Sequence, residues 1–241
     1  MFDKLIISVG GLSYPKTGSD GSLYDSIKKL GFSFNKLRPS LTKLKIKDNI
    51  TKCSGLRVNS EITLIINNKE VKTESGELQI TDDSLSGICI FNLSKLATRN
   101  IDNSYLSINF INDLPILEML KYRDKYTILD SLDTILDSKL VNTIIDNKIL
   151  LKHFSELNDE EIDYLIDRLT NYKVKVLGTG DFNNSQVTSG GIELNDLNKN
   201  LESKNIPNLY FIGEILDIDG ICGGFNLASA FITGYIVGNN L

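Results

Sequence analysis

The chain has 241 residues, 41% of them hydrophobic, with 26 Lys and Arg against 31 Asp and Glu and a formal net charge of −5. That length and apolar share can fill one large or two medium cores, which excludes global disorder. Positive residues are intermixed with negative ones and never gather into the basic stripe that displaces counterions from a nucleic acid, so nucleic acid is excluded as a partner.

The first segment, Leu5 to Val9, is a short continuous apolar run ending in Gly10 and Gly11. Such a run predicts a strand buried on both faces of a parallel sheet. Ser22 to Leu30 follows as a helix, with Leu23, Ile27 and Leu30 on one face and Gly31 placed to cap it. From about Phe32 the texture becomes alternation and turns: Ile62 to Ile66 leads into Asn67-Asn68, residues that tolerate the positive φ of a tight hairpin. Leu106, Ile108 and Phe110 alternate with Ser107 and Asn109, the period of a half-buried antiparallel strand. After Pro115 the period is helical. The clearest helix is Asn158 to Asn171, with Ile162, Leu165, Ile166 and Leu169 as its stripe and Asn158/Glu161 as a capping box. Strand texture returns at Lys173 to Leu177 and at Leu209 to Ile212, before a Gly-rich loop and an apolar helix from about Asn226.

The expectation is therefore an α/β fold in which terminal segments 1–32 and 173–241 form one partial doubly wound domain. Residues 33–115 form an inserted antiparallel, barrel-like β domain, and residues 116–172 a small helical subdomain. Only Leu5 to Val9 and Leu209 to Ile212 read as buried strands of the terminal domain, fewer than a doubly wound sheet carries. The remaining strands are expected from residues once preceding Met1 or from another chain.

The most informative stretch is Asn208 to Ala228, where a buried strand runs into Gly213-Glu214 and a Gly-rich loop precedes a helix. Ligands of open α/β sheets bind at this carboxyl edge, and the glycines let backbone approach them while the helix start offers its amides. A loop with no ligand, packed for structure alone, is the competing reading of the same residues.

The pattern GE-x2-D-x-DG-x-CGGFNL at Gly213 to Leu227 resembles the closing signature of the YhiN/BaiN-like family of FAD-containing flavoproteins. VGGLSYPKTGSDG at Val9 to Gly21, VTSGGIELNDL at Val187 to Leu197 and GELQITDDSLSGICIFNLS at Gly76 to Ser94 agree with it in order and spacing. The resemblance implies a Rossmann-like FAD-binding domain with an inserted barrel and helical cluster. It also implies a GxGxxG segment for the ADP half of FAD, which this chain lacks, so the chain reads as a carboxy-terminal fragment. By resemblance Gly10 and Gly11 form a strand-end turn near the dinucleotide. Gly190 and Gly191 let backbone approach the isoalloxazine, with Thr188 and Ser189 as neighbouring donors. Gly213 and Glu214 lie along the ribityl or pyrophosphate, and Gly223, Gly224, Phe225, Asn226 and Leu227 cover the pyrimidine edge. The sequence departs from the family pattern in two places, at Ile88 and at the Ala228-Ser229 pair, the second beside the expected flavin site.

Other chemistry-bearing residues read as structural. Cys53, Cys89 and Cys222 form no CxxC pair, and Cys222 has no second thiol beside it, so a disulfide-reductase mechanism is not indicated. His153, the single histidine, sits in the helical stretch, and one histidine supports neither a triad nor a zinc site. Metal ligands are not expected. Thr17 to Gly21 is a turn before a helix that would suit a phosphate but for Asp20, and is read as bordering the substrate cavity. Asp82-Asp83 and Asp159-Glu160-Glu161 read as solvated charges.

The function implied by the resemblance is an FAD-dependent oxidoreductase that passes a hydride or electron pair through the flavin, with a small-molecule substrate and NAD(P)H as donor. No run of the roughly 20 apolar residues needed to cross a bilayer and no signal-peptide pattern occurs, so a cytoplasmic protein without a membrane partner is expected. The oligomeric state is left open. Two alternatives stand: an inactive truncated fragment, and a module whose central sheet holds a peptide or small apolar molecule.

Overall fold

The computed structural model describes residues 3–241. In chain order its elements are β1 (Leu5–Ile7), α1 (Tyr24–Lys29), β2 (Arg38–Ser40), β3 (Leu44–Ile46), β4 (Arg57–Ile66), β5 (Lys69–Ile80), β6 (Ser84–Ser86), α2 (Ile88–Ala97) and β7 (Ser104–Asn109). Short helices α3 (Ile116–Tyr122), α4 (Ile128–Leu132), α5 (Ser138–Ile144) and α6 (Asn147–Leu150) precede the longer α7 (Asp159–Thr170). Then come β8 (Tyr172–Thr179), β9 (Val187–Ser189), β10 (Leu209–Phe211) and α8 (Phe225–Gly238).

Local chemistry accounts for several boundaries. Gly31 adopts φ +94 after α1 and donates its N–H to the Lys28 carbonyl at 2.9 Å, a geometry that a Cβ would strain. Asn67 and Asn68 both take positive φ, 52 and 61, which joins β4 to β5 by a two-residue hairpin whose twist matches the strands. Helix α7 opens with a complete capping box: the Glu161 N–H donates to Asn158 Oδ1 at 2.9 Å and the Asn158 N–H to Glu161 Oε2 at 3.1 Å.

Packing divides the chain into two units. One comprises the chain up to Lys43 with Ser94–Arg99 and Thr179–Leu241; the other comprises Leu44–Leu93 and Asn100–Gly178. The second unit holds a closed barrel in the order β3-β6-β5-β4-β7-β8. Side chains at every second position fill it, and Ile62, Leu64, Leu78, Ile80, Leu106 and Ile108 are fully buried. The helices α3 to α7 belong to this same unit. Residues 173–178, expected with the terminal segments, instead lie in β8, which pairs antiparallel with β7 through Tyr172 to Lys175. The cause is visible in the strand itself: Tyr172, Val174 and Val176 are buried while Lys173, Lys175 and Leu177 are exposed, which suits a one-sided barrel wall.

In the first unit β1 and β10 form a two-stranded parallel sheet, and β2 and β9 an antiparallel pair. Its core joins Tyr24, Ile27 and Phe32 to Ile192, Leu209 and Phe211, with the Phe32 and Phe211 rings meeting edge to face at 4.7 Å. The expectation that the first strand is buried on both faces does not hold, because Leu5 is 50% and Ile6 40% exposed. Among the described residues β1 pairs with β10 alone. Of the apolar face expected on α1, Ile27 is buried but Leu23 and Leu30 are half exposed, and Tyr24 supplies the second inward residue. Helix α8 carries no charged side chain, yet only Thr233 and Val237 are buried, leaving Leu227, Phe231 and Tyr235 largely exposed. No helix among the described residues is long and apolar enough to cross a membrane.

Candidate functional site

The site begins where β10 ends. Gly213 follows the strand, and its N–H donates to Thr233 Oγ1 of α8 at 2.9 Å, which pins the strand end to the final helix. Glu214, next in sequence, turns its carboxylate inward. Oε2 accepts the Gly11 N–H at 3.1 Å and Oε1 the Thr188 N–H at 2.7 Å, so one side chain ties together three distant segments. Burial pushes the Glu214 carboxyl above its ordinary value, opposed by those two N–H groups. Tyr24, whose hydroxyl donates to the Gly10 carbonyl at 2.7 Å, is pushed up to about 12 by burial and by the nearby Glu214 charge.

Beyond Glu214 the chain loops out and returns as α8. Asn226 closes this loop: its Oδ1 accepts the Gly220 N–H at 2.7 Å and its Nδ2 donates to the Gly220 carbonyl at 3.3 Å. Gly224 stands at the helix start with φ +87 and nothing within 4 Å of the place a Cβ would take, and no side chain caps the helix. The first amides of α8 therefore lack partners from its own turn, and its positive end is unscreened. A cavity of about 320 Å³ opens here, lined by Val187, Gly213, Glu214, Gly223, Gly224 and Leu227 among others. Val187 and the Gly213 to Asn226 loop thus share one cavity.

The Thr188 to Gly191 segment is placed differently. Thr188 Oγ1 accepts the N–H groups of Leu12 at 2.7 Å and Ser13 at 3.2 Å, and Ser189 Oγ accepts from Arg99 Nη2 at 2.9 Å. Both hydroxyls are buried in protein contacts. A Cβ on Gly190 would lie 2.5 Å from the Lys36 carbonyl oxygen, and one on Gly191 2.4 Å from that of Ile215. Close passage of the chain against itself accounts for both glycines. Gly11 belongs to the same convergence, since its Cβ would meet Thr188 Oγ1 at 2.5 Å and the Glu214 carboxyl carbon at 2.7 Å. Gly10 lines a separate cavity of about 370 Å³ with Thr17 to Leu23, where Asp20 caps the Ser22 N–H at 2.9 Å. Phe225 points to solvent, 56% exposed.

The structure also brings Leu41, Gln186, Ile218 and Ile221 to the cavity beside Gly213 and Gly224, together with Cys222, whose Sγ lies 3.6 Å from Gln186 Oε1. Leu41 and Gln186 come from segments whose short apolar or polar character gave no signal. Asp217 and Asp219 were visible only as the acidic positions of the loop pattern. Asp217 accepts the Gly190 N–H at 3.1 Å and the Asn35 amide at 2.8 Å, while buried Asp219 accepts from Ser40 Oγ at 2.9 Å and faces Arg99 at 3.5 Å. His153 is structural, its Nδ1 lying 2.9 Å from the Asp124 carbonyl oxygen.

Residues 1–240 match the HI0933-like protein Rossmann domain. Among similar curated proteins, a 3-dehydro-bile acid delta(4,6)-reductase of Clostridium scindens is 29% identical across 98% of this chain and 61% of its own length. A ribosomal RNA dihydrouridine synthase of Escherichia coli is 27% identical across 99% of this chain and 60% of its own. The Haemophilus influenzae protein of the same name is 25% identical across 96% and 58%. The chain thus spans about three fifths of the length of these relatives.

Proposed function

This chain belongs to the HI0933-like Rossmann family, a flavoprotein family with oxidoreductase members, and on that premise we propose that it forms the ring-binding side of an FAD-dependent oxidoreductase. The observation that carries this reading is the cavity at the carboxyl edge of β10. There Gly213 and Gly224 leave open backbone beside the uncapped start of α8. At about 320 Å³ the cavity sits at the small end of ligand sites, which suits a flat tricyclic ring and not a whole dinucleotide. Bound there, a flavin supplies hydride or electron-pair transfer.

The residues around it have three tasks. Gly223 and Gly224 admit the ring edge to the backbone, and the first amides of α8 favour negative charge at that edge. Thr233 fastens the strand end to α8 and Glu214 fastens it to Gly11 and Thr188, so the donors need no rearrangement. Val187, Ile218 and Leu227 form an apolar wall that limits water. The donor in this reading is NAD(P)H, the substrate a small molecule and the compartment the cytoplasm. The active protein includes an ADP-binding segment beyond these residues.

Titration of the purified chain with FAD and with riboflavin, followed by flavin fluorescence, tests the reading. Saturable binding by the wild type and loss of at least tenfold in Gly224→Val are expected. No binding of either flavin, or equal binding by the variant, refutes it. A second reading has one observation in its favour: the barrel unit has its own cavity of about 610 Å³, lined by Leu56, Phe110, Ile111, Leu136 and Leu140 among others. Under it the inserted unit binds an apolar molecule and the chain performs no redox step. Retention of a hydrophobic ligand together with indifference to flavin would favour it.

A further inference from the structure

Strands β2 and β9 pair with Arg38 opposite Ser189 and Ser40 opposite Val187, so these four side chains share one face of the pair. Hydrogen bonds confirm the shared face. Ser189 Oγ accepts from Arg99, Arg99 faces Asp219 at 3.5 Å, and Asp219 accepts from Ser40. Val187, at one end of this face, lines the cavity assigned to the flavin. Two residues further along β9, Ser189 lines a second cavity of about 390 Å³ with Gly190, Arg38, Arg99, Lys36 and Asp217. At roughly 3.4 Å per residue the two ends lie about 7 Å apart.

The charges of this second cavity do not cancel. Arg99 pairs with Asp217 at 3.8 Å and Asp219 at 3.5 Å. Neither Lys36 nor Arg38 has a carboxylate within ion-pair reach among the described residues, and the Arg38 guanidinium donates to the Lys36 carbonyl at 3.1 Å. Three cations against two carboxylates leave one unit of positive charge, in a chain whose overall charge is −5. Asp217 and Asp219 are held by Gly190, Asn35 and Ser40, so the floor is fixed before any ligand arrives. A guanidinium fork on such a floor suits a planar or tetrahedral oxyanion.

We propose that the cavity bounded by Lys36, Arg38, Arg99 and Ser189 binds a singly charged oxyanion, a carboxylate or a phosphodiester group, belonging to the substrate. The anion site rests on its own geometry, and its assignment to the substrate rests on the flavin reading above. An elongated substrate would then place its anionic arm about 7 Å from the part that meets the ring. Its orientation would be set by charge at one end and by the apolar wall at the other.

The test uses the full chain, isotopically labelled, titrated separately with acetate and with dimethyl phosphate in a chloride-free buffer and followed by amide chemical shifts. Saturable shifts at Ser189, Gly190 and the Arg99 side chain are expected with at least one of the two anions, and the one bound more tightly identifies the arm. The double variant Lys36→Gln, Arg38→Gln should weaken that binding at least tenfold and leave riboflavin binding unchanged, which also reports that the unit is folded. Arg38→Lys, keeping charge without the fork, should recover part of the affinity. Absence of saturable shifts with both anions, or equal affinity in the double variant, overturns the proposal. Failure of flavin binding with anion binding intact would sink the redox reading and spare the oxyanion site.

Discussion

Gly11→Ala places the convergence of three segments under direct strain. The added Cβ would lie 2.5 Å from Thr188 Oγ1 and 2.7 Å from the Glu214 carboxyl carbon, where ordinary contact begins near 3.4 Å. Relief of the Thr188 contact needs a displacement of about 0.9 Å, from 2.5 to 3.4 Å. Thr188 is 2% exposed, and rotating it away would deprive the Leu12 and Ser13 amides of their acceptor. Overpacking of this kind costs about 1–3 kcal/mol, and a buried amide left unpaired about 1–3 kcal/mol more. A loss of roughly 2–6 kcal/mol is expected, read by urea unfolding at constant m-value. Thr188→Ala removes the closest obstructing atom, so the double variant should lose at least about 1 kcal/mol less than the two single losses added. A Gly11→Ala protein within about 0.5 kcal/mol of wild type, or strictly additive variants, would refute the close approach.

Glu214→Gln tests the buried carboxylate through pH. Because burial raises the folded-state value, the favourable contribution of the protonated form is complete below the unfolded value near 4.5 and is lost as pH rises through the folded value. The stability of Glu214→Gln relative to wild type should therefore shift in the variant's favour from acid toward neutral pH, and a flat difference counts against it. The Tyr24 phenol, at about 12 partly because of the Glu214 charge, should titrate lower in the same variant by ultraviolet absorbance. In the barrel unit, Asn158→Ala removes the cap of α7 and should cost about 1 kcal/mol by thermal unfolding, with no change in flavin or anion binding.

Where local chemistry alone decides the outcome, the residues could be read directly. The Asn67-Asn68 turn, the Asn158/Glu161 box and the Leu106-Ile108 alternation each depend on neighbours within a few positions, and each formed as expected. Partners distant in sequence were harder. Lys173 to Leu177 has the alternation of any one-sided strand, which says nothing about whether a barrel or an open sheet receives it. The apolar run at Leu5 shows a capacity for burial without naming what provides it. At the site, the Gly213-Glu214 turn and the Gly223-Gly224 loop were legible because a strand end and a helix start flank them. The task of Gly190 and Gly191 was not, because it depends on the carbonyls of Lys36 and Ile215. Arg99 gave no signal at all, since its partners Ser189 and Asp219 lie 90 and 120 positions away.

The uncharged helix α8 sets conditions on how this protein can be watched. Phe231 at 79%, Tyr235 at 73% and Leu227 at 69% exposure present oily rings and branches to water in the native state. An environment-sensitive dye would bind there before any unfolding, so a dye-based melt would begin bright and report its transition weakly. With nine tyrosines and no tryptophan, intrinsic emission offers only a short-wavelength signal. Circular dichroism is the cleaner witness, and precipitating salts, which drive such surfaces together, are best kept out of the cuvette.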